Sequence, residues 1–436
     1  MTLIDLGEVR GDGEPASAPR PPRAVGRPLR VALAGVLALF VLASSAPVAR
    51  PASAVLGGRL GIEVVVLDGR VYLLDPGAPG ADRAREVTAH GTPTGAGAGV
   101  RTLWRTVVPG LGRLGGVQEQ GGVALLVDYR TDGVQTLAVD AGTGERRWQQ
   151  AGYPVLAAGG GLLLLGDDIE RGELRSVDPT SGRLRWSVPG RLGWAAFADR
   201  DEDGAAEQVA LVTAAGGIEL RDTASGAVRA SLVAPPGGWR GDLQVEVAGD
   251  LLLAFEQDKG EVRRVTAYGL AALDRRWALE QPTFGYAGAC GPVLCAYAYR
   301  GFDLSGLDPA TGGIRWTNPR WQTVIAVRGD RLLAIADEQA GGTASHLGVL
   351  DAATGREVAD LGSWDLVFSR TPGGPHYGTR ADRDGRSLVV AELDLAGAAT
   401  RVRDVLPGAA GDCAADGRDI VCRRHSGTYG WWRLPA

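Results

Sequence analysis

The stretch Leu137-Ala138-Val139-Asp140-Ala141-Gly142-Thr143-Gly144-Glu145-Arg146-Arg147-Trp148 decides how this chain is read. A short β-type run ends in Asp, a turn carrying Thr-Gly follows, and an indole stands a few positions on. Asp in the first position can accept from backbone amides two residues on, and Gly supplies the positive φ that closes the hairpin. The phrase returns as Ser176-Val177-Asp178, Ser181-Gly182 and Trp186, and again as Asp308, Thr311-Gly312 and Trp316. Two copies carry a branched residue in place of Trp: Asp222, Ser225-Gly226 and Val228; Asp351, Thr354-Gly355 and Val358. Weaker copies are Val87-Thr88-Ala89-His90 with Trp104, Val265-Thr266-Ala267-Tyr268 with Trp277, and Leu393-Asp394 with Val402.

Successive Asp positions from 140 to 394 lie 38, 44, 86 (two steps of 43), 43 and 43 residues apart. A period of this size fits either a helical solenoid or a ring of four-stranded sheets. The runs between copies choose the ring. Leu162-Leu163-Leu164-Leu165, Val209-Ala210-Leu211-Val212, Leu251-Leu252-Leu253-Ala254 and Arg331-Leu332-Leu333-Ala334-Ile335 are strand-length and bordered by Gly or Asp. None is long enough for an amphipathic helix. Four short strands per period is a propeller blade. The expectation is therefore an all-β fold: an eight-bladed β-propeller over 62–436, with seven blades as the alternative. A ninth, partial unit stands at the carboxyl end, Ile420-Val421-Cys422 and Tyr429-Gly430-Trp431-Trp432-Arg433-Leu434. It lacks a last strand and suits a blade completed jointly by the two ends of the domain. Trp104, Trp148, Trp186, Trp277 and Trp316 are expected as structural rings between blades, where a large apolar area contributes most.

The pattern aliphatic-x-Asp, Thr-Gly, x-x-x-Trp resembles the repeat of the PQQ-binding-like β-propellers, the group that includes quinoprotein alcohol dehydrogenases and BamB-like assembly lipoproteins. The resemblance covers most of 62–434 and implies a fold more firmly than an activity. The alcohol-oxidising members carry an adjacent Cys pair and an acidic cluster holding Ca²⁺. This chain has no Cys-Cys dipeptide, so no cofactor residue carries over. A BamB-like role in envelope assembly is what the resemblance implies on the binding side. A lipobox-like Cys does not follow the apolar segment, so lipoprotein attachment does not carry over.

That apolar segment runs from Val31 to Ala49, 19 uncharged residues between Arg30 and Arg50. As a helix it would cover roughly 28 Å, close to the ~30 Å hydrocarbon core. Arg20, Arg23, Arg27 and Arg30 precede it with no acid after Glu14, which places residues 1–30 in the cytoplasm and the rest outside. The expected organisation is a disordered cytoplasmic tail over 1–30, rich in Pro, Gly and Arg, a transmembrane helix or uncleaved signal anchor over 31–49, a linker over 50–61, and the propeller. A cleaved signal peptide ending at Ala52-Ser53-Ala54 would instead give a secreted protein. The long stretch before the apolar run and the intervening Arg50 favour the anchor.

Beyond the first 54 residues, 40 basic residues face 47 acidic ones. That balance excludes a polyanion-binding role, so no nucleic-acid partner is expected. The four Cys fall as Cys290 with Cys295 and Cys413 with Cys422, each pair straddling a turn, Gly291-Pro292 or Asp416-Gly417. Neighbouring strands can bring such pairs to bonding distance, and an exported domain keeps disulfides. Two bridges are expected, each stabilising by about 2–3 kcal/mol in the chain-entropy model. Cys-x-x-Cys spacing for zinc is missing.

One acidic loop, Asp199-Arg200-Asp201-Glu202-Asp203-Gly204-Ala205-Ala206-Glu207, places oxygen donors at positions 1, 3, 5 and 9 with Gly at 6. Asp199, Asp201, Asp203 and Glu207 are thus candidate Ca²⁺ ligands, resembling the calcium loops of integrin-type propellers. The competing reading is a solvated acidic turn, and Arg200 weakens the local field. His90, His346, His376 and His425 are scattered over different units without paired spacing or a nucleophile. No catalytic residue is assigned and no cofactor beyond possible Ca²⁺. The leading expectation is a non-catalytic, membrane-anchored extracytoplasmic scaffold that binds a protein or cell-envelope polymer. The rival is a quinone-dependent or other enzyme with its site in the central funnel.

Overall fold

The structure is a computed structural model. It describes residues 54–435, apart from 76–84, 92–98, 109–112, 131–132, 167–172, 189–191, 199–203, 240, 299–302, 337–343 and 370–372. Apart from one 3₁₀ turn at Ala158–Gly160, every regular element among these residues is a β-strand. The chain advances as consecutive four-stranded antiparallel sheets. The first comprises Glu63–Leu67, Arg70–Asp75, Arg85–Gly91 and Arg101–Val108; the second Arg113–Gln120, Val123–Arg130, Gly133–Asp140 and Arg146–Ala151. Four more follow at 153–188, 192–232, 242–280 and 284–318.

The seventh sheet (Trp321–Arg328, Arg331–Ala336, Ser345–Asp351) ends on a 13-residue strand, Glu357–Ser369. The second half of that strand opens the eighth sheet, where Asp365–Val367 pair with Tyr377–Ala381. Ser387–Asp394 and Ala399–Pro407 complete it. Eight sheets are thus built from continuous chain, as the eight repeat copies require. The carboxyl-terminal remnant forms a further unit of Ala409–Asp416, Asp419–Arg424 and Tyr429–Arg433. Its outer strand is Ala54–Leu56, from the other end of the domain. The partial unit is completed jointly by both ends, and a strand lies inside the 50–61 stretch expected as linker.

Apolar packing closes the circle. Nine clusters of buried side chains each join one sheet to the next, from the first and second (Tyr72, Trp104, Leu126, Leu137) to the composite sheet and the first (Leu56, Val71, Val421, Trp431). Sheets that pack face to face around a closed circuit make a β-propeller. First strands of neighbouring sheets also touch, 192–198 against 242–248 and 242–248 against 284–290. The first strand of each sheet is therefore innermost and the fourth lies at the rim. Among the described residues, no helix is long and apolar enough to cross a membrane. The segment expected to do so, 31–49, lies outside them, as does the tail 1–30.

Candidate binding face

The repeated turn fixes what the rim can offer. Asp140 Oδ1 accepts from the N–H groups of Gly142 (2.9 Å) and Thr143 (2.8 Å), while Oδ2 takes Arg147 Nη2 at 2.7 Å. Asp178 with Ser181 and Arg185, Asp222 with Ser225 and Arg229, and Asp308 with Arg315 repeat this arrangement. Arg147 first and the turn amides next hold the Asp140 carboxyl down at about 2. The Ser181 amide leads at Asp178, also about 2, and Arg229 leads at Asp222, again about 2. The seventh residue after each of these four Asp is thus an Arg with a defined role, which the Asp–Gly–Trp reading passed over.

The five indoles expected between blades are there, each with a polar tie. Trp104 Nε1 donates to Ala141 O at 2.9 Å, Trp148 to Pro179 O at 2.8 Å, Trp186 to Thr223 O at 3.2 Å, Trp277 to Pro309 O at 2.8 Å, and Trp316 to Ala352 O at 2.9 Å. Every acceptor belongs to the turn of the next sheet, just after its Asp. Each ring also covers that turn's Gly, so that a Cβ on Gly226 would stand 2.6 Å from Trp186. The Gly thus answers two demands, a left-handed φ and a close ring. Val228, Val358 and Val402 do not substitute for these indoles; they are exposed on outer strands.

Outer strands end a sheet and leave backbone groups open to other chains, and charged side chains discourage that pairing. Exposed Leu184, Val228 and Ile314 each stand beside one of the paired arginines, Arg185, Arg229 or Arg315. The inner wall is different. Tyr153, Trp194, Tyr286, Ile325 and Val327 are exposed on the first strands of the third, fourth, sixth and seventh sheets. Glu246, on the first strand of the fifth sheet, accepts the Tyr286 hydroxyl. Burial raises the Glu246 carboxyl, while burial, then the Glu246 charge and the bond to it, push the Tyr286 phenol up to about 12. Tyr297 packs beside Tyr286 with ring centroids 5.7 Å apart. This wall offers aromatic faces, aliphatic surface and one hydroxyl–carboxyl pair, the chemistry of a recognition surface.

Two cavities lie at the seam between the composite sheet and the first sheet. One, of about 450 Å³, is lined by Gly61–Val66, Asp412, Cys413, Ala414 and Tyr429. The other, of about 300 Å³, holds Arg59, Asp75, Glu86, Thr88, His90 and Arg105. The composite sheet's outer strand, Ala-Val-Leu, brings no indole to this interface. In the second cavity Arg59 is bidentate on Asp75, and burial followed by Arg105 keeps His90 below the ordinary imidazole range.

Both expected disulfides are formed, Cys290–Cys295 with Cα atoms 5.5 Å apart and Cys413–Cys422 at 4.1 Å. Of the Ca²⁺ candidates, Asp199, Asp201 and Asp203 lie outside the described residues. Glu207 follows a segment pinned between two sheets: Ala206 N–H donates to Leu156 O and Glu207 N–H to Ala198 O, both at 2.9 Å. Among the described residues, no group of three or more His, Cys, Asp or Glu could hold a metal. His346 stands 3.0 Å from Asp360, its ring stacked on Trp321, with Ser363 Oγ 3.5 Å from its other nitrogen. The order is that of a hydrolase triad, but Arg320 Nη2 lies 3.0 Å from the same His346 nitrogen that faces Asp360, and Arg320 also bridges Asp360 and Glu357. The group is an ion-pair network.

No protein-family model matches the sequence, and no curated protein matches it. Among solved structures it is similar to the computationally designed Ika8 protein, at TM-score 0.45 and 14% identity over 73% of this chain and 95% of that one. It is similar to the C-terminal WD40 domain of Sif2, at TM-score 0.40 and 10% identity over 89% and 99%. BamB from Moraxella catarrhalis gives TM-score 0.39 and 14% identity over 86% and 95%. The β-propeller assignment rests on sheet order and closure, and these distant likenesses assign no function.

Proposed function

We propose that the chain is a membrane-anchored, extracytoplasmic propeller of the PQQ-like repeat type. In this reading it binds a protein or cell-envelope polymer through the inner wall of its ring. The carrying observation is the contrast between rim and wall: exposed aliphatics at the rim stand among Asp-paired arginines, whereas Tyr153, Trp194, Tyr286 and Ile325 stand exposed on inner strands. Two disulfides support an oxidising compartment. The uncharged run 31–49 supports the anchor, with 1–30 cytoplasmic. Cleavage after Ala54 would remove one residue of the three-residue closing strand, which favours retention of the segment. Ca²⁺ in the loop of Asp199, Asp201, Asp203 and Glu207 is part of this proposal.

A photo-crosslinking residue at Tyr286 or Ile325, in intact cells, is expected to trap a discrete partner. The same residue at Leu184 or Val228 is expected to trap none. Equal trapping from rim and wall would overturn the reading. An enzyme at the funnel draws support from Glu246, whose raised carboxyl sits beside a phenol on the inner wall. Stoichiometric quinone absorbance on reconstitution, with dye reduction by alcohols, would favour that alternative.

A further inference from the structure

The face that the first sheet turns toward the composite sheet is unlike its counterpart in the second sheet. There the third strand packs Leu137 and Val139 against the sheet before it, 2% and 1% exposed and paired with Leu126 and Ala124. The first sheet holds Thr88 and His90 at those places, paired with Leu73 and Val71. Asp75 and Glu86, themselves a cross-strand pair, and Arg105, opposite Thr88, extend the polar face. Thr88 is 6% exposed and His90 half-buried. Polar groups on a packed face cost stability unless they are bonded, so this face has a use to be found. The closing strand ends at Leu56, and Gly57, Gly58 and Arg59 beyond it form a second wall of the 300 Å³ cavity. That wall is held in place: a Cβ on Gly58 would stand 2.7 Å from the Tyr429 ring, and the Tyr429 hydroxyl donates to Ile62 O at 2.7 Å.

Two cations and two anions line the cavity as pairs, Arg59 Nε on Asp75 at 2.9 Å and Arg105 Nε on Glu86 Oε1 at 3.2 Å. His90, held low by burial and then by Arg105, adds no charge at neutral pH. The pairs leave bonding capacity over. A guanidinium has five N–H groups, and Arg59 serves Asp75 through Nε and Nη2. Thr88 Oγ1 donates to Glu86 Oε1 at 3.4 Å, and His90 Nδ1 lies 3.3 Å from Thr102 Oγ1. Among the described residues, Arg59 Nη1, Glu86 Oε2 and His90 Nε2 have no hydrogen-bond partner.

We propose that this cavity binds a single neutral hexose ring, at a site separate from the inner wall. An anion or a cation gains no net attraction from two positive and two negative groups, and bonding to either charge parts it from its partner. A hydroxyl both donates and accepts, so it can use the spare N–H groups, carboxylate oxygen and imidazole nitrogen while both ion pairs stay intact. Ile62 and Leu73 in the same lining supply apolar surface for the C–H groups of the ring. A volume of about 300 Å³ is at the small end of ligand sites, which suits one ring and not a polymer.

The test is a nuclear magnetic resonance titration of the full chain at neutral pH, reading the imidazole signals of its four His. The probes are glucose, glucuronate and glucosamine, which share one ring and differ in charge; His90→Gln assigns the His90 signals. Glucose is expected to shift His90 saturably in the millimolar range and to leave His346, His376 and His425 in place. Glucuronate and glucosamine are expected to bind at least about ten-fold more weakly. Glu86→Gln, which frees Arg105, is expected to put glucuronate ahead of glucose. Tyr286→Ala, on the inner wall, is expected to leave the His90 response unchanged. Silence at His90 throughout the glucose titration, equal shifts at all four His, or a charged probe binding as tightly as glucose would each overturn the proposal. Because the wild-type titrations alone decide the matter, misfolding of a variant would not rescue it.

Discussion

Replacing Gly312 by Ala tests how one sheet locks onto the next. The added Cβ would lie 2.7 Å from Cε3 and 2.9 Å from Cζ3 of Trp277, at a φ of +73°. Carbon atoms prefer about 3.5–4.0 Å, so ring or turn must shift. Left-handed backbone costs an L-residue about 1–2 kcal/mol, and overpacking a fitted site adds about 1–3 kcal/mol. The sum is about 2–5 kcal/mol. Gly249, in the fifth sheet, is the control: its φ is +61°, and a Cβ added there would meet nothing within 4 Å. Gly249→Ala should cost only the backbone part, about 1–2 kcal/mol. Trp277→Ala alone should cost about 3–5 kcal/mol, since it empties a large site. In that background Gly312→Ala should fall to about 1–2 kcal/mol, a coupling of about 1–3 kcal/mol. Urea unfolding, with local hydrogen exchange across 304–318, reads the cycle without assuming that the whole ring unfolds at once. If Gly312→Ala costs the same with and without the indole, the ring is not seated on the turn and the account of blade locking fails.

Asp140, Asp178 and Asp222 are held at about 2 in the fold, below the unfolded value near 4. Their stabilisation is present above the unfolded value and is lost as pH falls through the folded one, so thermal midpoints should drop between about pH 4 and 2. A flat midpoint over that window would contradict the turn chemistry. Glu246→Gln should bring the Tyr286 titration down from about 12 towards the ordinary phenol range, read by ultraviolet absorbance; no movement would separate the two groups. Calorimetry should show Ca²⁺ uptake that Asp201→Asn with Asp203→Asn abolishes, and silence at millimolar Ca²⁺ would remove the metal. A reporter fused at the carboxyl end should be active outside the cytosol only; cytosolic activity would remove the anchor reading.

The ring was legible because the turn phrase is a local device. Asp, Gly and a following Trp are set by hydrogen bonds and a left-handed backbone within a dozen residues, so they repeat wherever the turn does. The cysteine pairs were legible for the same reason, each confined to one hairpin. Contacts across sheets were harder to see. In the fourth and seventh sheets the position eight residues after the Asp holds Ala230 and Ala359 instead of an indole. There Trp239 donates instead to Gly216 O at 2.5 Å, and Trp364 covers Gly378, where a Cβ would meet it at 2.8 Å. Nothing in the period announces either. The strand shared by the seventh and eighth sheets was equally hidden, because Glu357–Ser369 carries no turn residue pair to divide it, only Gly362 at φ +75°. Inner-wall residues such as Trp194, Glu246 and Tyr286 have no counterpart from copy to copy. They become a surface only when neighbouring first strands are brought side by side.

The closing strand offers the most direct test of the central claim, a ring completed by both ends of its domain. Val55 pairs with Gly430 and Leu56 with Tyr429. Hydrogen exchange on the intact protein should find the 54–56 amides protected to the same order as those of 429–433. Exchange at 54–56 as fast as in an unstructured peptide, with 429–433 still protected, would contradict closure.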